Sequence, residues 1–312
     1  MATSIHTSMN AKTWSLLLLL SVLWGGSFFF VEVALVDLKP LTLVTLRVGI
    51  AALTLWLLAF MIGLRPPKSV SIWLAFLGMG ILNNVVPFVL IVWGQTHLAS
   101  GLAAILNAAT PIFAVLVAGM LLPDEKATTL KLIGVSIGFM GVVIMIGLPA
   151  LKGTASLLAQ LAIVVATLSY AFAGVFGRRF KSMGVNPIIT AAGQVSASAL
   201  LLIPITLVFE GPLDIRAPSV TSWLAIMALA IFSTALAYVL YFKILALAGA
   251  TNLMLVTLLI PISAIWLGYF FLNEVLDWIH FVGMGFIALG LSAIDGRLWQ
   301  KSHKKPAHKV KV

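Results

Sequence analysis

The stretch from Trp73 to Leu122, WLAFLGMGILNNVVPFVLIVWGQTHLASGLAAILNAATPIFAVLVAGMLL, lies without a gap over Trp223 to Leu272, WLAIMALAIFSTALAYVLYFKILALAGATNLMLVTLLIPISAIWLGYFFL, at a constant offset of 150. Ten of the 50 positions are identical, among them Trp73-Leu74-Ala75 with Trp223-Leu224-Ala225 and Pro111-Ile112 with Pro261-Ile262. In so apolar a chain that identity is modest, but the register continues outward on both sides. Downstream the offset becomes 149, and Glu125, Gly134, Gly141 and Gly147 fall on Glu274, Gly283, Gly290 and Gly296. Upstream, at an offset of 147, Pro40 and Arg47 fall on Pro187 and Gln194. The chain reads as one unit written twice. In a membrane protein such doubling points to a transporter whose substrate lies between the halves.

Composition supplies the membrane. The chain is 62% hydrophobic and 9% charged, against about 25% charged in soluble domains. Apolar runs recur that are each long enough to cross about 30 Å of hydrocarbon. A β-barrel would alternate apolar and polar residues, and runs such as Leu16 to Leu20 do not. The expected fold class is therefore all-α and polytopic. With no cysteine, disulfides, thiol catalysis and cysteine-held metals are excluded. Only Lys12 precedes the first apolar run, and no small-residue cleavage site stands out, so that run reads as a retained span. The net charge of +10 is concentrated at the C-terminus, in Arg297, Lys301, Lys304, Lys305, Lys309 and Lys311. A basic tail resting on an anionic lipid leaflet accounts for it without nucleic acid.

Breaks at Pro, Gly and charged clusters predict ten helices, at about 14–36, 41–62, 71–95, 99–122, 130–148, 156–177, 187–209, 222–246, 250–272 and 278–297. With a cytoplasmic N-terminus, 15 basic residues fall on the inner side and three (Lys39, Lys152, Arg216) on the outer. Both termini are then cytoplasmic, in the cell inner membrane. Residues 1–150 and 151–298 form two five-helix repeats and residues 299–312 a basic tail. Five is odd, so the second repeat enters the membrane from the opposite face and the repeats are inverted, the arrangement that supports alternating access.

At this point the residues resemble a known family. Trp24-Gly25-Gly26-Ser27-Phe28, Pro40 through Arg47, Ala103 to Pro111, Pro123-Asp124-Glu125, and Leu259-Ile260-Pro261 with Leu272-Asn273-Glu274 are similar to EamA-type permeases of the drug/metabolite transporter superfamily. The resemblance covers about residues 14 to 297. It implies export or uptake of small metabolites, often amino acids, without ATP.

Polar groups inside spans mark candidate sites, because burying them in lipid is costly. Asn83 and Asn84 lie halfway along the third helix, and Ser233 and Thr234 occupy the equivalent places in the eighth. They line a cavity or bond helices together. Thr234, Tyr238 and Tyr241 share a helical face by spacing. Asn107 and Thr257 each stand four residues before the shared proline, and Trp24 matches Tyr170 at an offset of 146. Together these predict an aromatic, amide-lined chamber for a small organic molecule. Pro111 and Pro261 each free a carbonyl in the preceding turn, as simple kinks or as a gate. Arg47 is the one arginine clearly within a span. With Glu32 it forms either a structural ion pair or a charge site for substrate or proton coupling. Glu125 and Glu274 are expected to cap the helices that follow them. Trp14, Trp278 and Trp299 suit an interfacial belt. The glycines of the fifth and tenth helices provide close-packing faces, within a monomer or in a homodimer.

No P-loop is present, and His6, His97, His280, His303 and His308 lack metal-ligand spacing. No cofactor, metal or catalytic residue is expected. The sequence therefore points to a secondary transporter working by alternating access, with efflux of an amino acid or related metabolite favoured by the resemblance and proton coupling suggested by Glu32. A passive exchanger or uptake permease is the alternative within the class. An integral-membrane enzyme would need an acid–base pair at depth, and a channel suits a closed polar pocket less well.

Overall fold

The computed structural model describes residues 11–122, 128–150, 154–212, 218–241, 243–244 and 256–295, and among them every regular element is helical. The helices are α1 (Ala11–Ala34), α2 (Pro40–Met61), α3 (Val70–Gln95), α4 (Ser100–Leu121), α5 (Thr129–Ala150), α6 (Thr154–Gly177), α7 (Pro187–Phe209), α8 (Val220–Tyr241), α9 (Val256–Leu272) and α10 (Trp278–Asp295). Seven of these, α1 to α4 and α6 to α8, supply stretches long and apolar enough to cross a membrane. The other three contribute shorter apolar stretches, Thr129–Gly141, Leu259–Leu272 and Trp278–Gly290. Ten spanning helices were expected. The start of the ninth, placed at 250, lies outside the described residues, as do Glu125, Lys152, Arg216, Trp299 and the basic tail.

Local chemistry sets the ends. Pro40 and Pro187 open α2 and α7, where a missing N–H costs nothing. Gly63 and Gly211, at φ 79° and 81°, follow the ends of the same two helices in a left-handed conformation that a side chain resists. The bundle is apolar outside as well as inside. Leu18, Leu53, Leu57, Leu200, Leu207 and Phe209 are exposed, while Arg47, Asn84, Gln95, Gln194, Ser198 and Thr234 are buried. That inversion of the soluble pattern is what a lipid solvent demands.

The helix contacts between halves come in matched pairs. α1 packs on α9 as α6 packs on α4; α1 meets α8 as α6 meets α3; α3 meets α7 as α8 meets α2. The pairs α2–α7 and α5–α10 are their own counterparts. Along α5–α10 the backbones nearly touch: a Cβ on Gly141 would sit 2.6 Å from the Gly283 carbonyl, and one on Gly290 2.6 Å from the Gly138 nitrogen. The small-residue faces of these helices are thus occupied inside the chain.

Two departures from regular helix matter for the centre. α3 widens into a π-helical turn at Ile81–Val85 and α8 does so at Ile231–Leu236, 150 residues apart. The shared prolines, by contrast, behave differently. α4 is interrupted at Ala108–Ala109, and Pro111 sits in the first turn of its second segment, Thr110–Leu121. α9 runs through Pro261 without a break. The two prolines are therefore not equivalent kinks.

Candidate functional site

Each π turn has a carbonyl that accepts from a hydroxyl. In α3, the N–H that would reach the Leu82 carbonyl at π spacing belongs to Pro87, which has none; Ser169 of α6 donates to it at 2.7 Å instead. In α8, Thr234 Oγ1 donates to the Leu229 carbonyl at 2.9 Å. π turns concentrate at functional sites because the extra residue redirects neighbouring side chains. Here they redirect the paired polar residues into the other half of the chain.

The first turn is fully bonded. Asn83 donates to Gln194 Oε1 of α7 and to the Tyr238 hydroxyl, each at 3.1 Å. Asn84, with no exposed surface, donates to Ser198 Oγ at 3.1 Å and accepts from the Tyr238 hydroxyl at 2.9 Å. The approach of α3 to α7 depends on Gly80, whose hypothetical Cβ would lie 2.8 Å from both the Gln194 carbonyl and Ser198 Oγ. The second turn is sparser. Thr234 accepts from Arg47 Nε at 3.0 Å, and the buried Ser233 hydroxyl has no hydrogen-bond partner. Arg47 is 7% exposed, and its guanidinium carbon lies 3.7 Å over the centre of the Phe88 ring. Tyr170 and Tyr238 are within electrostatic reach of it. Arg47–Thr234 and Gln194–Asn83 thus join α2 to α8 and α7 to α3, counterparts under the sequence register.

Aromatic side chains extend this centre. Tyr170 packs against both large apolar clusters of the interior, Tyr238 against one and Tyr241 against the other. Trp24 meets Tyr241, with ring centroids 5.8 Å apart, rather than pairing with Tyr170. Asn107 Oδ1 is buried without a hydrogen-bond partner at the interruption of α4, and Thr257 is half-buried on α9. The structure therefore brings together two hydrogen-bonded groups, Asn83–Asn84–Tyr238 and Arg47–Thr234, within electrostatic reach of each other. Trp24, Tyr170 and Tyr241 adjoin them. The buried side-chain oxygens of Asn107 and Ser233 take no part in the hydrogen bonds of either group.

Two sequence expectations fail here. Glu32 does not meet Arg47. The guanidinium turns to Thr234 and Phe88, whereas Glu32 accepts a long 3.4 Å contact from Gln95 Nε2, which also donates to the Phe28 carbonyl at 2.9 Å. Glu274 does not cap the helix that follows it. Asn273 adopts a left-handed φ of 54°, which ends α9 and turns Glu274 across to the start of α4. There its carboxylate accepts from Ser100 N at 2.7 Å, Ser100 Oγ at 2.9 Å and Gly101 N at 3.1 Å. Two further carboxylates do the same between halves. Glu210 accepts from Leu41 N at 2.8 Å and Thr42 N at 2.7 Å. Asp37 accepts from Ser219 N at 2.9 Å and Ser222 Oγ at 2.7 Å, and these hydrogen bonds hold its carboxyl below the ordinary aspartate range. Glu32, Glu274, Ser219 and Ser222 border an open cleft of about 380 Å³ at this end of the bundle.

Sequence reasoning gave no role to Ser169, Ser198 or Gln95. Ser198 stands four residues after Gln194, the spacing of one helical face, which is the signal that identifies it. Among the described residues no group of three His, Cys, Asp or Glu side chains could hold a metal.

A model of the EamA-like transporter family matches residues 12–147 and again residues 157–294. An uncharacterised transporter of Archaeoglobus fulgidus is 28% identical over 287 residues, covering 90% of this chain and 97% of the relative. Protein PecM of Dickeya dadantii is 26% identical over 273 residues, 87% of this chain and 88% of the relative. A probable amino-acid metabolite efflux pump of Escherichia coli is 25% identical over 309 residues, 95% of this chain and 99% of the relative. One crystal structure superposes with a TM-score of 0.67 over 94% of this chain and 100% of its own, at 17% identity, which shows a shared fold. With nearly its whole length matched, the chain belongs to the EamA-like transporter family, multi-pass membrane proteins that carry small molecules rather than transform them.

Proposed function

We propose that this protein moves an amino acid or closely related metabolite out of the cell by alternating access, with ten spans in two inverted five-helix repeats, residues 1–150 and 151–298, in the inner membrane and both termini cytoplasmic. The observation that carries the reading is the central cluster. Its bonds run between halves, and its members sit at equivalent places in the two copies. The double family match and the paired helix contacts support the duplication. The efflux pump of Escherichia coli, similar over nearly the full chain, supports the substrate class and direction. Trp24, Tyr170, Tyr238 and Tyr241 form the chamber wall, with Asn107, Ser233 and Thr257 adding polar groups. The break before Pro111 acts as a gate, and Glu32, without a basic partner among the described residues, is the site of proton coupling.

The test is transport by the purified chain in proteoliposomes, using a panel of amino acids and related metabolites under imposed pH gradients. Movement of a panel amino acid above empty vesicles is expected, and none for any compound would overturn the substrate class. Asn84→Ala and Tyr238→Ala should impair transport at unchanged folded yield; normal transport in both removes the chamber assignment. Rates that ignore the pH gradient remove coupling through Glu32. A cysteine at Lys152, in a chain that has none, should be labelled only from outside, and labelling only from inside reverses the topology.

A further inference from the structure

Among the described residues the charge of Arg47 has no ion-pair counterpart. A guanidinium stays ionised at physiological pH and presents five N–H donors. Arg47 is buried, and among the described residues the hydrogen bond it makes runs from Nε to the Thr234 hydroxyl. That hydroxyl spends its own proton on the Leu229 carbonyl. Among the described residues no carboxylate pairs with Arg47. Buried charges are otherwise paired, because an isolated one forfeits its hydration. The ring of Phe88 covers one face of the guanidinium and Thr234 takes its Nε edge. The edge formed by the two terminal nitrogens is left for a ligand.

The duplication shows that the scaffold does not require this charge. At the same register of α7 stands Gln194, a neutral amide, bonded to the first π turn as Arg47 is bonded to the second. The cation therefore serves something beyond helix packing. Its size and valence restrict the occupant. The other basic residues of the described chain lie within a few residues of a helix end or in connections, so a single positive charge is available at this depth. One guanidinium neutralises one carboxylate, and the planar fork matches the two carboxylate oxygens with parallel N–H···O bonds. A phosphate dianion would remain undercompensated.

We infer that Arg47 is the receptor for the carboxylate of the transported molecule, so that the protein accepts small monocarboxylates, amino acids among them, and rejects their esters, amides and decarboxylated amines. The inference rests on the central cluster being the transport chamber and adds the group that recognises the substrate. The aromatic neighbours Phe88, Tyr170 and Tyr238 then receive the rest of the molecule.

The experiment measures competition and transport with L-leucine, L-phenylalanine and L-threonine, each beside its amide, its methyl ester and the amine lacking the carboxyl group, on the full chain in proteoliposomes. The wild type should prefer an acid over its amide by about 30-fold or more, the range for losing one partner of a buried charge pair. Arg47→Gln, which copies the residue of the second repeat, should keep the fold by elution profile and thermal unfolding while reducing acid affinity to that of the amide. Arg47→Lys should fall between them. Equal wild-type affinity for acid and amide overturns the inference without recourse to any variant. So does an unchanged preference in Arg47→Gln, or competition by chloride or inorganic phosphate as strong as by the acids. Transport of the amines but not the acids overturns the carboxylate receptor and leaves the transport reading standing. No movement of any compound by the wild type overturns both.

Discussion

The two π turns sit 150 residues apart and share a backbone, but they are finished differently. Around Asn83 and Asn84 the side chains bond to one another through Gln194, Ser198 and Tyr238. Around Ser233 and Thr234, one hydroxyl lacks a partner, and the other serves its own turn and accepts from a buried arginine. The first copy behaves as a bonded scaffold, the second as a surface with unmet chemistry. Duplication preserved the local widening of the helix, a backbone property, while the side chains around it diverged.

The largest effect should come from the scaffold side. Gly80→Val drives a branched side chain into the Gln194 carbonyl and Ser198, and should destabilise the protein by about 3 kcal/mol, the upper range for overpacking. Its counterpart, buried Ala230, already carries a Cβ, so Ala230→Gly should cost about 1 kcal/mol or less. Thermal unfolding in detergent distinguishes the two, and equal losses would mean that the halves are equally tight. Next, Asn84→Ala removes two hydrogen bonds and should lower stability by about 1–2 kcal/mol, given roughly 0.6 kcal/mol per interhelical bond with larger values where partners are stranded. Thr234→Ala should cost less stability and more transport, because it releases Arg47 rather than a bonded network; the reverse order breaks the comparison. Tyr238→Phe makes the second copy match Phe88 of the first, and should cost about 1 kcal/mol for its two hydrogen bonds while changing the ranking of substrates in the vesicle assay.

The smallest effect belongs to the carboxylate end. Asp37 is held below the usual aspartate range by Ser219 and Ser222. The cap therefore contributes fully above the unfolded value of about 3.9, and its contribution disappears as the pH falls through the lowered folded value. Asp37→Asn should lose a small part of the unfolding temperature at pH 7 and converge with the wild type once the pH has fallen below the lowered folded value. A constant gap at all pH values would show that the carboxylate charge is irrelevant there.

Much of this molecule was legible beforehand because its signals are local or periodic. Apolar length, Pro and Gly breaks and the repeat register depend only on residues near one another in sequence or at a fixed offset. Thus the positions that differ between copies, Arg47 against Gln194 and Phe88 against Tyr238, were visible as differences before their neighbours were known. What stayed hidden were partners chosen by packing. Arg47 and Glu32 both lie toward the same end of consecutive helices, but α1 packs chiefly on α9 and α2 on α7, and one side chain meets Thr234 and the other Gln95. Sequence separation says nothing about which helices pack together. The same holds for Glu274, whose direction depends on the left-handed Asn273 and on the nearness of the α4 start.

The sequence by itself determined that this chain is a doubled, lipid-dissolved helical bundle of transporter type, because hydrophobic length and internal repetition are properties of a string. It also identified some of the polar residues that the interior must accommodate, Arg47, Asn84, Ser233 and Thr234 among them. Only the tertiary structure decided which of them meet. The equal prolines became unequal, since α9 absorbs Pro261 and α4 breaks ahead of Pro111. The matched polar pairs became one saturated and one unsaturated turn, since hydrogen bonds in a low-dielectric interior go to whichever group helix packing brings within about 3 Å.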